Sequence, residues 1–311
     1  MMQLQAPNSV VMIRPHHFRS NPQTKGDNAF QSNANASDVQ ISLSARSEFD
    51  AAVAMLRATG VRVHDFDDQT IETPDSVFPN NWFSTHAGGH VAVYPMFAEN
   101  RRRERRWDVI DMLKRDYRVQ DVIDYSGLEH DSLALEGTGA MVLDHIGRIA
   151  YVARSNRADP ILLERFCTHF NFEPISFEAQ DEAGRDVYHT NVLMTIGTRF
   201  ALVGLDMITS PERRNTVATR LAETGHDVIN LTAQQIGAFA GNAIELSGID
   251  GPVLVLSARA LSAFTPDQLA RIEVHARLLP LSIPTLETAG GSVRCMIAGI
   301  HLAQRVPEVH Q

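Results

Sequence analysis

The chain is short of cysteine, of long hydrophobic runs and of positive charge. Two cysteines in 311 residues, Cys167 and Cys295, cannot build a disulfide framework, and no Cys/His spacing fits a structural zinc site. No stretch reaches the roughly eighteen consecutive apolar residues that a membrane-spanning helix needs, and the first residues lack the basic patch and apolar run of a signal peptide. Lys and Arg number 28 against 37 Asp and Glu, a net charge of −9. Such a surface does not suit a nucleic-acid partner, which needs basic stripes to displace counterions. The densest charge, Asn100–Trp107, carries a Glu among its arginines and opens the amphipathic run Trp107, Ile110, Met112, Leu113, so it fits a solvated helix start. These absences predict a cytoplasmic protein in a reducing compartment, with a small molecule as partner, no membrane and no metal or other cofactor. Homo-oligomer formation is left open.

What is present is an ordinary globular composition, 44% hydrophobic and 21% charged, enough for a sizeable core. A strand at Val10–Ile13 is followed by a polar stretch, 14–46, that reads as one long loop, of the kind that often serves as a lid. Beyond it the hydrophobic periods fall into a rhythm of two short strands, an amphipathic helix and a further strand. One copy runs from Trp82–His86 to 118–123, with its helix near 101–116. The second runs from Ala140–Asp144 to Phe172–Phe177, the third from Val192–Ile196 to His226–Leu231, and the fourth from Ala243–Ser247 to Leu281–Leu286. Three of the helices start Asp159-Pro160, Ser210-Pro211 and Thr265-Pro266, a cap followed by a first-turn proline. A fifth copy is completed only by joining Arg294–Ala298 near one end to Val10–Ile13, a helix over 47–59 and Val61–Phe66 near the other. The prediction is a single α/β domain over 1–311, a five-bladed pseudo-symmetric ββαβ propeller.

The peptides leading into each first strand hold the unusual polar residues: Phe78–Asn81, Leu135–Gly139, Tyr188–Asn191, Gly241–Asn242 and Gly290–Cys295. Equivalent positions of a cyclic repeat lie at one end of the pseudo-axis, so a carboxylate, an imidazole and a thiol would converge there. Cys295 follows a glycine pair that allows close backbone approach to a ligand. Cys167 instead shares an apolar helical stripe with Leu163, Phe166 and Phe170, as an inert core thiol would. Glu136, between Leu135 and a Gly-Thr-Gly turn, is a carboxylate beside an apolar strand.

These motifs resemble the guanidine-modifying (pentein, amidinotransferase) superfamily, closest to the citrulline-utilisation hydrolases and then to dimethylarginine hydrolases and arginine deiminases. The resemblance covers most of the chain: Arg14-Pro15, Asp75–Trp82, Leu135–Gly139, Tyr151–Arg157, Tyr188–Asn191 and Gly290–Cys295. It implies Cys295 as nucleophile, His189 as acid/base and Glu136 as third catalytic group. It further implies substrate binding by Asp75, Phe78, Asn80, Asn81, Arg101, Arg157 and Asn191, with the two arginines on the substrate carboxylate. In dimethylarginine hydrolases Glu-Asp stands where this chain has Asn80-Asn81, and in arginine deiminases an aspartate stands at Asn191. Amides suit a neutral ureido group, which both donates and accepts. The expectation is therefore citrulline hydrolysis to ornithine, ammonia and carbon dioxide through an S-carbamoyl enzyme. Dimethylarginine hydrolysis, arginine or agmatine deimination, amidino transfer to an acceptor amine and an inactive binding protein are the alternatives.

Overall fold

The computed structural model describes residues 4–32 and 36–305. Within them, strands β1 (Ser9–Pro15), β2 (Arg62–Asp68), β3 (Phe83–His86), β4 (His90–Val93), β5 (Asp121–Asp124), β6 (Met141–Asp144), β7 (Ile149–Ala153) and β8 (Glu173–Phe177) alternate with helices. They continue as β9 (Met194–Ile196), β10 (Phe200–Val203), β11 (Asp227–Asn230), β12 (Ile244–Gly248), β13 (Gly251–Ser257), β14 (Arg277–Leu281) and β15 (Ala298–Gly299). The helices are α1 (Asp38–Ala58), α2 (Trp107–Asp116), α3 (Gly137–Ala140), α4 (Pro160–Phe170), α5 (Thr190–Leu193), α6 (Pro211–Glu223), α7 (Ala233–Gly237), α8 (Ala258–Ala263), α9 (Pro266–Glu273) and α10 (Val293–Met296).

The strands form five separate three-stranded sheets, β3-β4-β5, β6-β7-β8, β9-β10-β11, β12-β13-β14 and β15-β1-β2. In each, the first pair is antiparallel and the second parallel. A hairpin joins the antiparallel pair in the first four sheets, whereas a parallel pair needs a crossover. That crossover is a helix in every blade: α2, α4, α6, the pair α8 and α9, and α1. The predicted caps are present, with Asp159 accepting from the Ile161 and Leu162 N–H groups and Ser210 from that of Arg213. Strand β3 lies against β15, and β9 against both β6 and β12, so the first strands gather at the centre. The fifth blade joins the two ends of the described chain, Val10 facing Gly299 on one side and Val63 on the other. The five-bladed α/β architecture expected from the sequence is the one observed.

Several boundaries differ. The helix expected near 101–116 begins only at Trp107, because Glu99–Glu104 forms a separate 3-10 turn that buries Arg101 and Glu104. Residues 38–46, read as loop, are the first turns of α1, fixed by a capping box in which Ser37 and Gln40 satisfy each other's backbone donors. Val39 and Leu43 of that stretch face solvent, which hid the helical period. The loop therefore spans 16–37, of which 33–35 lie outside the described residues. Strand β14 ends at Leu281 rather than beginning there. It includes Pro280, tolerated because β14 is an edge strand paired only with β13. Finally, first strands start later than expected because short helical turns precede them, so Cys295 lies on a turn of helix, not on a strand.

Candidate active site

Four of the five blades open with such a turn: Pro79–Asn81, α3, α5 and α10. Glu136 and His189 are the residues that cap α3 and α5, and Cys295 lies inside α10. Close packing of these turns demands glycine. Gly137 has φ +45°, and a Cβ there would come within 2.4 Å of the Asn80 carbonyl. At Gly139 a Cβ would meet the Asn81 amide at 2.1 Å and the His189 ring at 2.9 Å.

The result is one buried constellation. His189 Nε2 lies 2.8 Å from Glu136 Oε2, and the same carboxylate oxygen is 3.3 Å from Arg101 Nη1 and 3.5 Å from Arg157 Nη1. Its other oxygen accepts the Phe97 N–H at 3.0 Å. Burial alone would push the Glu136 carboxyl up, but Arg157, the His189 hydrogen bond and Arg101 outweigh it and hold the group well below the usual carboxylate range. Burial pulls His189 down from 6.5 to about 4, despite the attraction of Glu136. At neutral pH the pair is thus a carboxylate holding a neutral imidazole by its Nε2–H, which leaves Nδ1 free to take a proton.

Arg101, in the 3-10 turn Glu99–Glu104, points inward while Arg103 of the same run stays exposed. Its Nε and Nη2 each lie 2.9 Å from Glu104, and Asp75 is 3.6 Å away. The donors around Asn81 set its amide: the oxygen accepts from Arg101 at 3.0 and 3.1 Å and the nitrogen donates to Asn80 Oδ1 at 3.2 Å. Burial pushes the Asp75 carboxyl up against the pull of Arg101 and Asn21. Its Oδ1 has no hydrogen-bond partner among the described residues.

Of the residues singled out in the sequence, Asp75, Phe78, Asn81, Arg101, Arg157, His189 and Cys295 line a single narrow pocket. Glu136, Asn80 and Asn191 are buried around that lining. Asn191 donates to Cys295 Sγ at 3.2 Å.

Sequence reasoning overlooked two participants. Asp27, in the long loop, grips Arg157 with both oxygens, at 2.6 Å to Nη2 and 2.9 Å to Nε. The loop is tied down further by Asn21 to Asp75 (2.8 Å), Asn28 to the Ala289 carbonyl (3.3 Å) and Phe30 against Tyr188. The other is Asn242, whose amide reaches Cys295 Sγ. Only its place before a first strand hinted at it, and Asp27 carried no local signal.

Five ββαβ blades around a buried Cys, His and Glu define a guanidino-modifying enzyme of the pentein class. The chain belongs to one family within it: residues 14–302 match the profile of N,N dimethylarginine dimethylhydrolase, eukaryotic. It is similar in fold to the substrate-bound N-terminal domain of ArgZ, an arginine dihydrolase from the ornithine-ammonia cycle in Cyanobacteria. That likeness has a TM-score of 0.72 at 14% identity and covers 94% of this chain and 99% of that domain. Unliganded AgrE gives 0.72 at 17% identity over 96% of this chain and 40% of its own. A dimethylarginine dimethylaminohydrolase adduct with 4-chloro-2-hydroxymethylpyridine gives 0.62 at 13%, over 94% and 99%. The chain spans about two fifths of full-length ArgZ and AgrE, at 42% and 40%. No curated protein matches it in sequence. Among the described residues no helix is long and apolar enough to cross a membrane.

Proposed function

We propose that the protein hydrolyses the guanidino group of an arginine-like amino acid through a covalent adduct on Cys295. The observation that carries this reading is the unpartnered acid in the pocket. Asp75 lines it with an Oδ1 that has no hydrogen-bond partner among the described residues, and burial pushes its carboxyl up. A bound cation would relieve that burial, and the free oxygen is an acceptor suited to a guanidinium N–H. Arg157 would take the ligand's carboxylate by its forked edge.

In the first half-reaction the Cys295 thiol gives its proton to His189, and sulfur forms a bond to the central guanidino carbon. One carbon–nitrogen bond then breaks, its nitrogen leaving as an amine or ammonia with the proton from His189. Ionised Glu136 steadies the transient imidazolium. Water then adds to the S-linked thiouronium, His189 takes its proton, and sulfur leaves and is reprotonated. The net change is one water for one amine, with a ureido product.

Citrulline is the second reading, favoured by the amides at Asn80, Asn81 and Asn191. Two of these serve the protein itself, Asn81 accepting from Arg101 and Asn191 holding the sulfur, which weakens their claim on a ureido group. Measuring amine, ammonia and ureido release from arginine, methylated arginines, agmatine and citrulline tests the order. The guanidino reading requires kcat/KM for arginine or a methylated arginine to exceed that for citrulline; the reverse would restore the ureido reading.

A further inference from the structure

Asn242 lies in the peptide that leads into β12, and its side chain is fully buried. Two contacts fix which way its amide points. Its Oδ1 accepts the Arg294 backbone N–H at 3.0 Å, and its Nδ2 donates to the Asn191 carbonyl at 2.8 Å. The same nitrogen reaches Cys295 Sγ at 3.3 Å, and Asn191 Nδ2 reaches that sulfur at 3.2 Å. Two amide donors from two different blades therefore meet on one sulfur.

We propose that Asn242 is a further catalytic residue, which together with Asn191 forms a neutral two-amide cradle that stabilises the Cys295 thiolate. The inference rests on Cys295 being the nucleophile. A thiol is a feeble acceptor, whereas a thiolate accepts strongly, so donors aimed at sulfur favour the ionised form. The sulfur carries that charge twice in the cycle, before it attacks carbon and again when it leaves the adduct, and the cradle serves both moments. Because both amides are uncharged, they do this without repelling a cationic substrate held by Asp75 and Glu136. A carboxylate at either position would donate nothing and would oppose the thiolate directly.

Asn242→Asp tests this, because it keeps the oxygen that accepts from Arg294 while removing the donor to sulfur. Asn242→Ala removes both and checks for misfolding through its melting temperature. The readout is the rate of Cys295 alkylation by iodoacetamide in free enzyme, located by mass spectrometry, at about pH 7 and about pH 10. Asn242→Asp should slow alkylation about tenfold or more at the lower pH, the deficit shrinking at the higher one where thiol ionises without help. Equal slowing at both values would mean that access alone had changed, and an unchanged neutral rate alongside lost turnover would mean a purely structural role. Either outcome overturns the proposal. Alkylation needs no substrate, so inactivity of wild type on guanidino and ureido compounds would overturn the functional reading and leave this test standing.

Discussion

Cys167 and Cys295 are both free and both buried, yet their surroundings differ in kind. Cys167 sits on the apolar face of α4 among Leu163, Phe166 and Phe170, and burial pushes its thiol up to about 12. Cys295 sits on a helical turn where two asparagine amides touch its sulfur and His189 lines the same pocket. Burial by hydrocarbon keeps a thiol inert, while burial by oriented donors prepares it for chemistry. Depth is common to both residues, so it is the polarity of the neighbours that separates them.

Exchanging sulfur for oxygen at each place is the sharpest way to break that comparison. Cys295→Ser should reduce kcat at least about a thousandfold with little change in melting temperature, because a hydroxyl is scarcely ionised at neutral pH. Cys167→Ser should leave kcat intact and cost ~1–2 kcal/mol in denaturant unfolding, since the new hydroxyl faces phenyl rings. A covalent adduct trapped on Cys167 would reverse the assignment.

The next largest effect concerns His189, the base we propose. Glu136→Gln removes the charge that steadies protonated His189, and kcat should fall about a hundredfold or more. In the parent enzyme His189 titrates near 4, against 6.5 for an ordinary histidine. Between those values the unfolded chain binds more protons than the folded one. Stability contributed by this group is therefore complete above about pH 6.5 and declines as pH falls toward about 4. Glu136, held low in the fold, loses its share in the same acid direction. Unfolding measured across that range should show the decline, and a His189→Gln variant should flatten it.

The smallest expected effect lies at the rim. Asp27 occupies the forked edge of Arg157 that a substrate carboxylate would use. Asp27→Asn should therefore lower KM for a carboxylate-bearing substrate about three- to tenfold, with kcat little changed. A higher KM would show instead that Asp27 contacts the substrate, for example its ammonium group.

The fold was largely legible because the blades repeat the same periodic signals: paired apolar strands, then an amphipathic helix, Pro-started in three of the five. Helix starts at Pro160, Pro211 and Pro266 were readable from a cap residue followed by proline. The opening turns of α1 were not, since Val39 and Leu43 point to water and the capping box of Ser37 and Gln40 resembles loop composition. In the site, glycine-rich or polar peptides ahead of apolar strands drew attention to Cys295, His189 and Glu136, but the roles expected of them came from the resemblance to a known family. Asn242 was marked only as part of one such entry peptide and Asp27 not at all, because their contacts are with partners 53 and 130 residues away, Cys295 and Arg157, and no local pattern encodes such a meeting.

The fifth blade bears on how the enzyme comes to life. Its central strand β1 pairs with β15 across nearly the whole described chain, Val10 with Gly299, and α10 with Cys295 directly precedes β15. Pairings so remote in sequence are slow to form, because a long loop must close before any contact rewards it. A growing polypeptide can complete the blades bearing Glu136 and His189 while Cys295, the nucleophile we propose, is still being synthesised. Catalytic competence would then arrive as the last event of folding, and a truncated or stalled chain would carry a nearly finished site without the sulfur to use it.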